Sequence, residues 1–275
     1  MVKWYSKFSS NPKYEPVIVD YVRTPLGSKK GTLWRLRGDD MFIHCLKTIV
    51  KRNESKIPLT DYEDVICGCN SQIGTTALDV AKVSAIAAGL PMKVPGVSLN
   101  RQCASGMQAA IFAWQQIATL DKQCVIVGGV EAQNSYPIGA DMTVVGEGNR
   151  TQTVPPNPGM VKNPEVLEST KKYTEMTGVG ADIAGQINSA EVMGWVWLKK
   201  SGLPKEEFRR QLDELSCLSH AKACKTWDIR AKEIAPIEVP KLDEQGKPIV
   251  DEKGQPILGQ TEITSKDEGP RDMPV

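Results

Sequence analysis

The sequence has little histidine, few aromatic residues and no long apolar run. Two histidines occur in 275 residues, and aromatic residues make up 6% of the chain. No apolar stretch approaches the roughly 18 residues that span a bilayer, and residues 1–14 lack the apolar core of a secretory signal. The formal net charge is +1, without a dense basic cluster. We therefore expect neither a transmembrane segment nor a nucleic-acid partner.

The cysteines do not form a disulfide framework. There are seven, an odd number, and most lie in apolar contexts. This distribution is typical of reduced thiols in an intracellular protein, so we expect a cytoplasmic location. Cys67 and Cys69 are separated by one residue, whereas metal-binding and redox pairs are usually separated by two, and no second pair follows. We therefore expect no bound metal.

Apolar runs alternate with amphipathic segments over the first 130 residues. The pattern predicts strands at 16–21, 64–68, 97–99 and 124–129, and helices at 41–50, 77–89 and 105–120. Asp39 and Asp40 are expected to cap the first helix. Because the strands lack polar alternation, they predict a mainly parallel sheet covered by helices on both faces.

The character of the chain changes after Glu131. Residues 149–164, rich in proline, asparagine, glycine and threonine, predict a long irregular segment. Helices are predicted at 181–200 and 205–226, the second with an apolar face, and a strand at 234–239. Residues 243–258 contain an eight-residue near-repeat, which predicts a protruding hairpin. A partner-contact arm is the alternative interpretation of this repeat.

The segment around Cys103 is the most informative part of the sequence. Residues 97–110 predict a strand, a sharp turn and a helix, with Cys103 at or near the helix start. Unpaired N–H groups and the positive end of the helix dipole favour a thiolate there, which suits a nucleophile. The small residues 104–106 keep the approach to sulfur open. The alternative is a small thiol buried at a strand–helix junction.

Several motifs resemble those of thiolases, in the order in which that family has them. Asn-Arg-Gln-Cys103-Ala-Ser-Gly resembles the family's nucleophile motif, and Gly-Gly-Val-Glu131 resembles the strand end that follows it. Further matching segments are Arg23-Thr-Pro, Met193-Gly, Ser-His220-Ala, Glu233-Ile-Ala-Pro and Asp267-Glu with Arg271. The resemblance implies an α/β fold, a thiolase-like layered half-core with a mostly parallel sheet and an inserted α+β loop domain. Residues 1–133 would form the N-terminal core half, and residues 134–275 the loop domain that binds coenzyme A.

The resemblance also implies an activity and site residues. Thiolases form or cleave 3-ketoacyl-CoA in lipid metabolism, including fatty acid β-oxidation, and Cys103 would carry the acyl group as a thioester. The backbone N–H of Cys103 would stabilise the thioester oxygen, and Glu131 would order loops below the site. Met193 would line the pantetheine tunnel, and Arg230, although out of register, would meet the adenine nucleotide. Coenzyme A and acyl-CoA would be substrates, with no tightly bound cofactor.

The sequence lacks two motifs that complete the active site in thiolases. It has no Gly-His-Pro motif and no Cys-x-Gly near its end, and thiolases use these for the activating histidine and a second cysteine. We interpret His44 and His220 as structural. The chain thus resembles a thiolase without its C-terminal core half, which a downstream segment or another chain would supply, and alone it would turn over little. We expect a homodimer, a homotetramer or a complex with the chain that supplies that half.

Two other functions stay open. One is a thiolase-like scaffold or CoA-binding subunit without catalysis, and the other is a condensing enzyme related to ketoacyl synthases. The motifs from Met193 onward favour thiolases over the latter. Trp195 and Trp197 stand where the family usually has Thr-Ala-Glu. They would either reshape the acyl pocket, contact a partner or pack in a core.

Overall fold

The computed structural model describes residues 15–136, 140, 143–145, 151–153, 157–177, 186–253 and 256–271. Contacts divide the chain into two compact units. The first comprises residues 1–141 and 226–269, and the second comprises residues 142–225 and 270–275. The predicted boundary between residues 133 and 134 stays a prediction, and residues 226–269 group with the first unit.

The first unit contains the sheet and its covering helices. Its helices are α1 (Gly38–Asn53), α2 (Val80–Ala87), α3 (Ser105–Ala118) and α8 (Trp227–Arg230). Its strands are β1 (Asp64–Gly68), β2 (Gly96–Leu99), β3 (Val125–Gly129), β6 (Ile237–Pro240) and β7 (Thr261–Thr264). The second unit contains β4 (Thr143–Val145), β5 (Thr151–Thr153), α4 (Pro158–Val161), α5 (Pro164–Thr177), α6 (Gln186–Ser201) and α7 (Lys205–Lys225).

Three strands form a parallel sheet in the order β2-β1-β3. Ile66 of the central strand lies opposite Val97 on one side and Val127 on the other. All five residues of β1 are buried, as expected for a central parallel strand covered on both faces. The prediction of a mainly parallel sheet is confirmed.

The sheet is the middle layer of three. Side chains alternate along β1, so they point to both faces of the sheet and pack against helices on each. Val65 and Cys67 point into a cluster that contains Leu46 of α1 and Val80 of α2. Ile66, between them, points the other way and packs against α3. Helices therefore cover both faces, and the predicted layered α/β arrangement is confirmed.

The start of α1 differs from the prediction. Arg37, in extended conformation, is the N-cap residue, and Asp39 and Asp40 lie within the first turn. Acidic residues in that turn stabilise a helix by interaction with the positive end of its dipole. Arg37 also forms an ion pair with Asp39 at 2.7 Å. The two aspartates thus act on the helix start from inside the helix.

The predicted first strand is wrong. Residues 15–22 belong to no strand, and Val17, Ile18 and Val19 are 71%, 86% and 68% exposed. The segment is tied instead to the end of α1, where Asn53 and Arg52 donate hydrogen bonds to the carboxylate of Asp20 at 2.9 Å. The apolar run has strand propensity, but no strand described here pairs with it.

The repeat lies between two paired strands. β6 and β7 are antiparallel, with Ile237 opposite Thr264. Val239 is fully buried and packs in a cluster with Leu36 and Met41. Between the strands, isolated antiparallel bridges join Leu242 to Pro248 and Val250 to Pro256. Each bridge begins at the residue before a copy of the repeat and ends at the proline of that copy. Residues 254 and 255 lie outside the described residues.

The second unit is mainly helical. The prediction of an irregular segment at 149–164 is wrong in part, because β5 pairs with β4 and α4 follows. The two predicted helices correspond to α6 and α7, although 181–185 lie outside the described residues. On α7 the predicted apolar face is substantially exposed at Leu212, Leu215 and Leu218. Among the described residues, no helix is both long and apolar enough to cross a bilayer.

Candidate active site

Cys103 lies in the five-residue turn between β2 and α3. β2 ends at Leu99 and α3 begins at Ser105, as the sequence predicts. The thiol-bearing residue is exposed, which contradicts the alternative of a buried structural thiol. The first turn of α3 contains no acidic residue to offset the positive end of the helix. The chain therefore presents a cysteine to solvent at a helix start.

Side chains from both ends of the turn hold its shape. The Oδ1 atom of Asn100 accepts a hydrogen bond from the N–H of Gln102, and its Nδ2 atom donates to the carbonyl of Asn70, both at 2.8 Å. The hydroxyl of Ser105 accepts from the N–H of Arg101 at 2.8 Å and donates to the carbonyl of Gln102 at 2.6 Å. These bonds fix the backbone on either side of Cys103.

The residue before Cys103 adopts a left-handed backbone. Gln102 has a φ of +52°, which is uncommon for a residue with a side chain and costs of order 1–3 kcal/mol. Strain of this kind persists where surrounding contacts impose it, and here the bonds of Asn100 and Ser105 do so. The reversal lets the chain expose Cys103 before it enters α3.

The turn also depends on a close approach of α3 to the end of β1. At Gly68 a Cβ atom would lie 2.5 Å from the backbone nitrogen of Gly106, closer than any real contact. Glycine at this position therefore allows the first turn of α3 to rest on the sheet. The position of Cys103 is set by this packing as well as by its own turn.

Glu131 organises a neighbouring loop. Its carboxylate accepts hydrogen bonds from the backbone N–H groups of Asn70 and Ser71, at 2.9 and 3.2 Å. Because Asn70 in turn accepts from Asn100, the chain of contacts runs from the end of β3 to the turn of Cys103. This geometry agrees with the expectation that Glu131 orders loops below the site. Both carboxylate oxygens of Glu131 accept hydrogen bonds from backbone N–H groups.

The other cysteines have different surroundings. Cys67 and Cys69 are buried in the core beside α1 and α2. Burial raises the pKa of Cys69 to about 11 and that of Cys45 also to about 11, and it raises the pKa of Cys67 further. These thiols suit packing and not nucleophilic chemistry at neutral pH. The described residues contain no group of three or more potential metal-binding side chains of the His, Cys, Asp or Glu type.

The two histidines belong to different units of the chain. His44 lies on α1, where burial lowers its pKa from the ordinary value while the backbone of Ala235 and Pro236 opposes that shift. In the second unit, His220 accepts a hydrogen bond from the N–H of Arg271 at 3.2 Å. Both arrangements agree with the structural roles expected from the sequence.

The two residues expected to bind coenzyme A lie in different units. Met193 is on α6 and is 53% exposed. Arg230, at the end of α8, donates to the carboxylate of Asp267 and lies 5.7 Å from the ring centre of Trp227. The roles of Met193 and Arg230 in substrate binding, like that of Cys103 in catalysis, stay predictions.

Sequence reasoning missed how the turn is supported. It did not identify Asn70, Gln102 or Gly68 as contributors to the geometry around Cys103. A signal existed at Gly68, because a glycine inside an apolar strand often marks a close backbone approach. The left-handed conformation of Gln102 had no comparable signal, since glutamine has no preference for it.

The fold and the turn together define an α/β protein that presents an exposed cysteine on a parallel sheet. Comparison with known proteins agrees with the motifs: the family described as "Thiolase, N-terminal domain" matches residues 16–262. The chain belongs to the thiolase family, a family of acyltransferases.

Individual relatives show how much of a thiolase is present. A 3-ketoacyl-CoA thiolase of Vibrio parahaemolyticus is 31% identical over 234 residues, which are 83% of this chain and 50% of that protein. A beta-ketoadipyl-CoA thiolase of Pseudomonas knackmussii is 42% identical over 123 residues, 45% of this chain and 30% of that protein. The crystal structure of the Bacillus anthracis acetyl-CoA acetyltransferase matches with a TM-score of 0.60 and 25% identity, covering 93% of this chain and 55% of that one. The chain thus spans about half the length of the relatives that match most of it.

Proposed function

We propose that this chain is the nucleophile-bearing part of a thiolase-type acyl-CoA acyltransferase, with Cys103 as the catalytic residue. The observation that carries the proposal is the exposed Cys103 at the start of α3, held by the bonds of Asn100 and Ser105. An exposed cysteine at a helix start suits nucleophilic attack on a thioester or ketone.

The chemistry is acyl transfer through a thioester of Cys103. In the synthetic direction its sulfur attacks the carbonyl carbon of an acyl-CoA, a new carbon–sulfur bond forms, and coenzyme A leaves as a thiolate that takes up a proton. In the degradative direction it attacks the 3-keto carbon of a 3-ketoacyl-CoA, and the carbon–carbon bond breaks to release an acyl-CoA carbanion that is then protonated. The N–H of Cys103 is the proposed donor to the thioester oxygen.

Substrate binding is part of the proposal. Coenzyme A and acyl-CoA would be substrates, and no tightly bound cofactor would be needed. Met193 is proposed to contact the pantetheine arm, and Arg230 to lie near the nucleotide. Because Arg230 already pairs with Asp267, its role near the nucleotide has less support than that of Met193.

The metabolic role and the location are also part of the proposal. Since 3-ketoacyl-CoA thiolases match most of the chain, we include fatty acid β-oxidation. The apolar setting of most of the cysteines supports a cytoplasmic location.

The remaining half of the site is proposed to come from elsewhere. An apolar groove of about 1070 Å³ runs between the extended segment 15–20, α3 and the edge of β3. Met107, Ile111 and Trp114 on that face of α3 are 68%, 41% and 42% exposed. A contiguous apolar surface of this kind marks an interface. We propose that a C-terminal core half, in the same protein or another chain, covers it and supplies the base, and that the assembly is a dimer or tetramer.

A non-catalytic CoA-binding or scaffold subunit is the second candidate. It is favoured by the histidines, because His44 lies partly buried on α1, where burial lowers its pKa, and His220 accepts a hydrogen bond from the N–H of Arg271. This candidate predicts binding without formation of a thioester.

One experiment separates the two functions. The purified chain is incubated with acetyl-CoA, alone and together with the separately expressed C-terminal half of the Vibrio parahaemolyticus thiolase, and its intact mass is measured. An acetyl adduct that maps to Cys103 and is lost in Cys103→Ser supports the enzyme. The absence of an adduct even with the added half, in samples shown by sedimentation to form the complex, contradicts catalysis.

A further inference from the structure

Arg101 bonds to α3 through its side chain as well as through its backbone. Its Nη1 atom donates a hydrogen bond to the amide oxygen of Gln108, and its backbone N–H donates to the hydroxyl of Ser105 at 2.8 Å. Because the two acceptors are three residues apart on α3, they lie on the same side of the helix. A residue that precedes the helix is therefore attached to its first turn at two points.

The acceptor of the side-chain bond is a buried polar residue. Gln108 is 7% exposed, on the face of α3 that also buries Ala109 and Ala113. A buried amide is costly unless its polar atoms have hydrogen-bond partners, and the guanidinium of Arg101 is the partner of the amide oxygen. Leucine would fill a similar space without needing a partner. Packing alone therefore does not account for the pair of Arg101 and Gln108.

Both attachments enclose Cys103. The backbone bond joins Arg101 to Ser105 and the side-chain bond joins it to Gln108, so Cys103 lies inside two closed loops of chain. Gln102, with its left-handed φ of +52°, lies inside them too. A strained residue keeps its conformation only where its surroundings impose it. The bond between Arg101 and Gln108 therefore opposes a relaxation of the turn that would move Cys103 relative to α3.

Acyl transfer depends on how accurately the sulfur atom of Cys103 is held. A displacement of about 1 Å can slow an enzymatic reaction about 100-fold, and a reacting group is held best when the residues around it are themselves fixed. The bonds of Asn100 and Ser105 fix the two ends of the turn. The bond between Arg101 and Gln108 adds an attachment further along α3.

We propose that Arg101 and Gln108 are positioning residues for acyl transfer by Cys103. The guanidinium of Arg101 acts through Gln108 and the backbone of the turn, and it contacts neither the acyl group nor coenzyme A. The inference rests on the proposed function, because it gives the two residues a part in the reaction of Cys103. Neither residue has a role in the resemblance to thiolases described above.

A double-mutant cycle tests the pair. The acetylation of Cys103 by acetyl-CoA, with the C-terminal half supplied, is followed in the wild type, Arg101→Met, Gln108→Leu and the double variant. We expect each single variant to lower the rate at saturating acetyl-CoA by about 10- to 100-fold and to leave the half-saturating concentration unchanged. The double variant should be no slower than the slower single variant, because both substitutions remove the same bond.

Conservative variants extend the cycle. Arg101→Lys keeps a donor and Gln108→Glu keeps an acceptor, so each should recover part of the rate. Arg101 is exposed, so its two variants still test the proposal if Gln108→Leu does not fold. Circular dichroism checks the folding of every variant.

Gln116→Leu is the matched control on the same helix. Gln116 donates a hydrogen bond from Nε2 to the carboxylate of Asp64 at 2.9 Å, about 12 Å along the axis from Gln108. The control should lower the urea midpoint and leave the acetylation rate of the folded protein unchanged. Alkylation of Cys103 by iodoacetamide is a second control. This small reagent needs no alignment in a site, so its rate should stay close to that of the wild type in every variant.

The possible outcomes separate this inference from the acyltransferase proposal. If the wild type is acetylated, the positioning role is overturned by additive effects of the two substitutions or by equal slowing of alkylation and acetylation. A raised half-saturating concentration in Arg101→Met alone also overturns it, because that result indicates a direct contact with substrate. In each of these cases the acyltransferase proposal survives. If the wild type is not acetylated, the acyltransferase proposal is wrong, and the positioning role fails with it.

Discussion

The guanidinium of Arg23 donates two hydrogen bonds to the carboxylate of Asp267, at 2.7 and 3.0 Å, across a sequence separation of 244 residues. The side chain of Asp267 is fully buried, and Arg230 and the N–H of Leu26 also donate to it. Arg23 further pairs with Glu233 at 2.7 Å. This network joins the beginning of the described chain to its end within the first unit, and it explains why the Arg-Thr-Pro and Asp-Glu motifs occur together.

Replacing Asp267 by Asn should strongly destabilise the protein. The substitution leaves the guanidinium groups of Arg23 and Arg230 without their buried counter-ion, and breaking a buried pair in this way costs about 3–5 kcal/mol. Urea denaturation followed by circular dichroism measures the change. Asp213→Asn is the control: Asp213 pairs with Arg209 on α7 and both side chains are more than half exposed, so its loss should change the stability little. Similar losses for both variants would contradict the assigned role.

The same region should make stability depend on acidic pH. Burial alone would raise the pKa of Asp267 and that of Glu268, but hydrogen bonds to Asp267 from Arg23 and Leu26, and to Glu268 from Ser28 and Thr32, bring both pKa values below their ordinary values of 3.8 and 4.5. Groups with a lowered folded-state pKa stabilise the protein above their unfolded-state pKa. This stabilisation is lost as the pH falls through the folded-state values.

The pH effect is measured as the urea midpoint between pH 7 and pH 2. We expect the midpoint of the wild type to fall more steeply below about pH 4.5 than that of the double variant with Asp267→Asn and Glu268→Gln, which no longer titrates at these positions. Parallel curves for the two proteins would show that neither carboxylate has a lowered pKa.

Two glycines near Cys103 should respond oppositely to alanine. Gly68→Ala places a methyl group against the backbone of α3, and such overpacking typically costs about 1–3 kcal/mol. At Gly106, inside α3, an added Cβ meets nothing within 4 Å, so Gly106→Ala should stabilise by up to about 1 kcal/mol through helix propensity. Thermal unfolding of both variants tests this. A neutral Gly68→Ala would show that α3 does not rest on β1 as described.

Cysteine alkylation should be selective. Iodoacetamide at pH 8 should modify the exposed Cys103 before Cys45, Cys67 and Cys69, because burial shields these three and raises each pKa. Peptide mapping after short exposures gives the order of reaction. Modification of Cys67 or Cys69 at a rate equal to that of Cys103, in folded protein, would mean that the core cluster is open.

Glu131 should control the order of the loop that follows β1. Glu131→Ala removes the acceptor for the N–H groups of Asn70 and Ser71, and hydrogen bonds to a charged acceptor contribute about 1.5–3 kcal/mol. Amide hydrogen exchange should therefore become faster in peptides that contain residues 70–71, with peptides from α7 as the unaffected control. Unchanged exchange at residues 70–71 would contradict the role given to Glu131.

The sequence predicts the repetitive parts of this fold better than the parts that depend on a neighbour. β1 was predicted at its observed bounds and α3 to within two residues of its end, because their apolar periodicity is local. The segment 16–21 has the same apolar character but forms no strand, since strand formation needs a partner that periodicity does not reveal. α7 was predicted by its periodicity, whereas the exposure of Leu215 depends on what packs against it.

The candidate site shows the same division. The nucleophile motif located Cys103 from the sequence, because the residues of the motif are contiguous. The supports of the turn, Asn70 and Gly68, are about 30 residues away, and their contacts with Asn100 and α3 arise only from the alignment of β1 beside β2. Contacts that depend on strand register are not visible in a single sequence.

The ion pair between Arg23 and Asp267 also determines when, during synthesis, the first unit can be completed. A ribosome adds about 5–20 residues per second, so the 244 residues between them take roughly 12–50 s to make. The three strands of the sheet are all synthesised once residue 129 has been added, whereas β6 and β7, which complete the first unit, are added only at residues 237–264. The second unit is produced in the meantime. A growing chain thus carries an unfinished domain for most of its translation, and chaperone binding to that intermediate should last until residue 267 has left the exit tunnel.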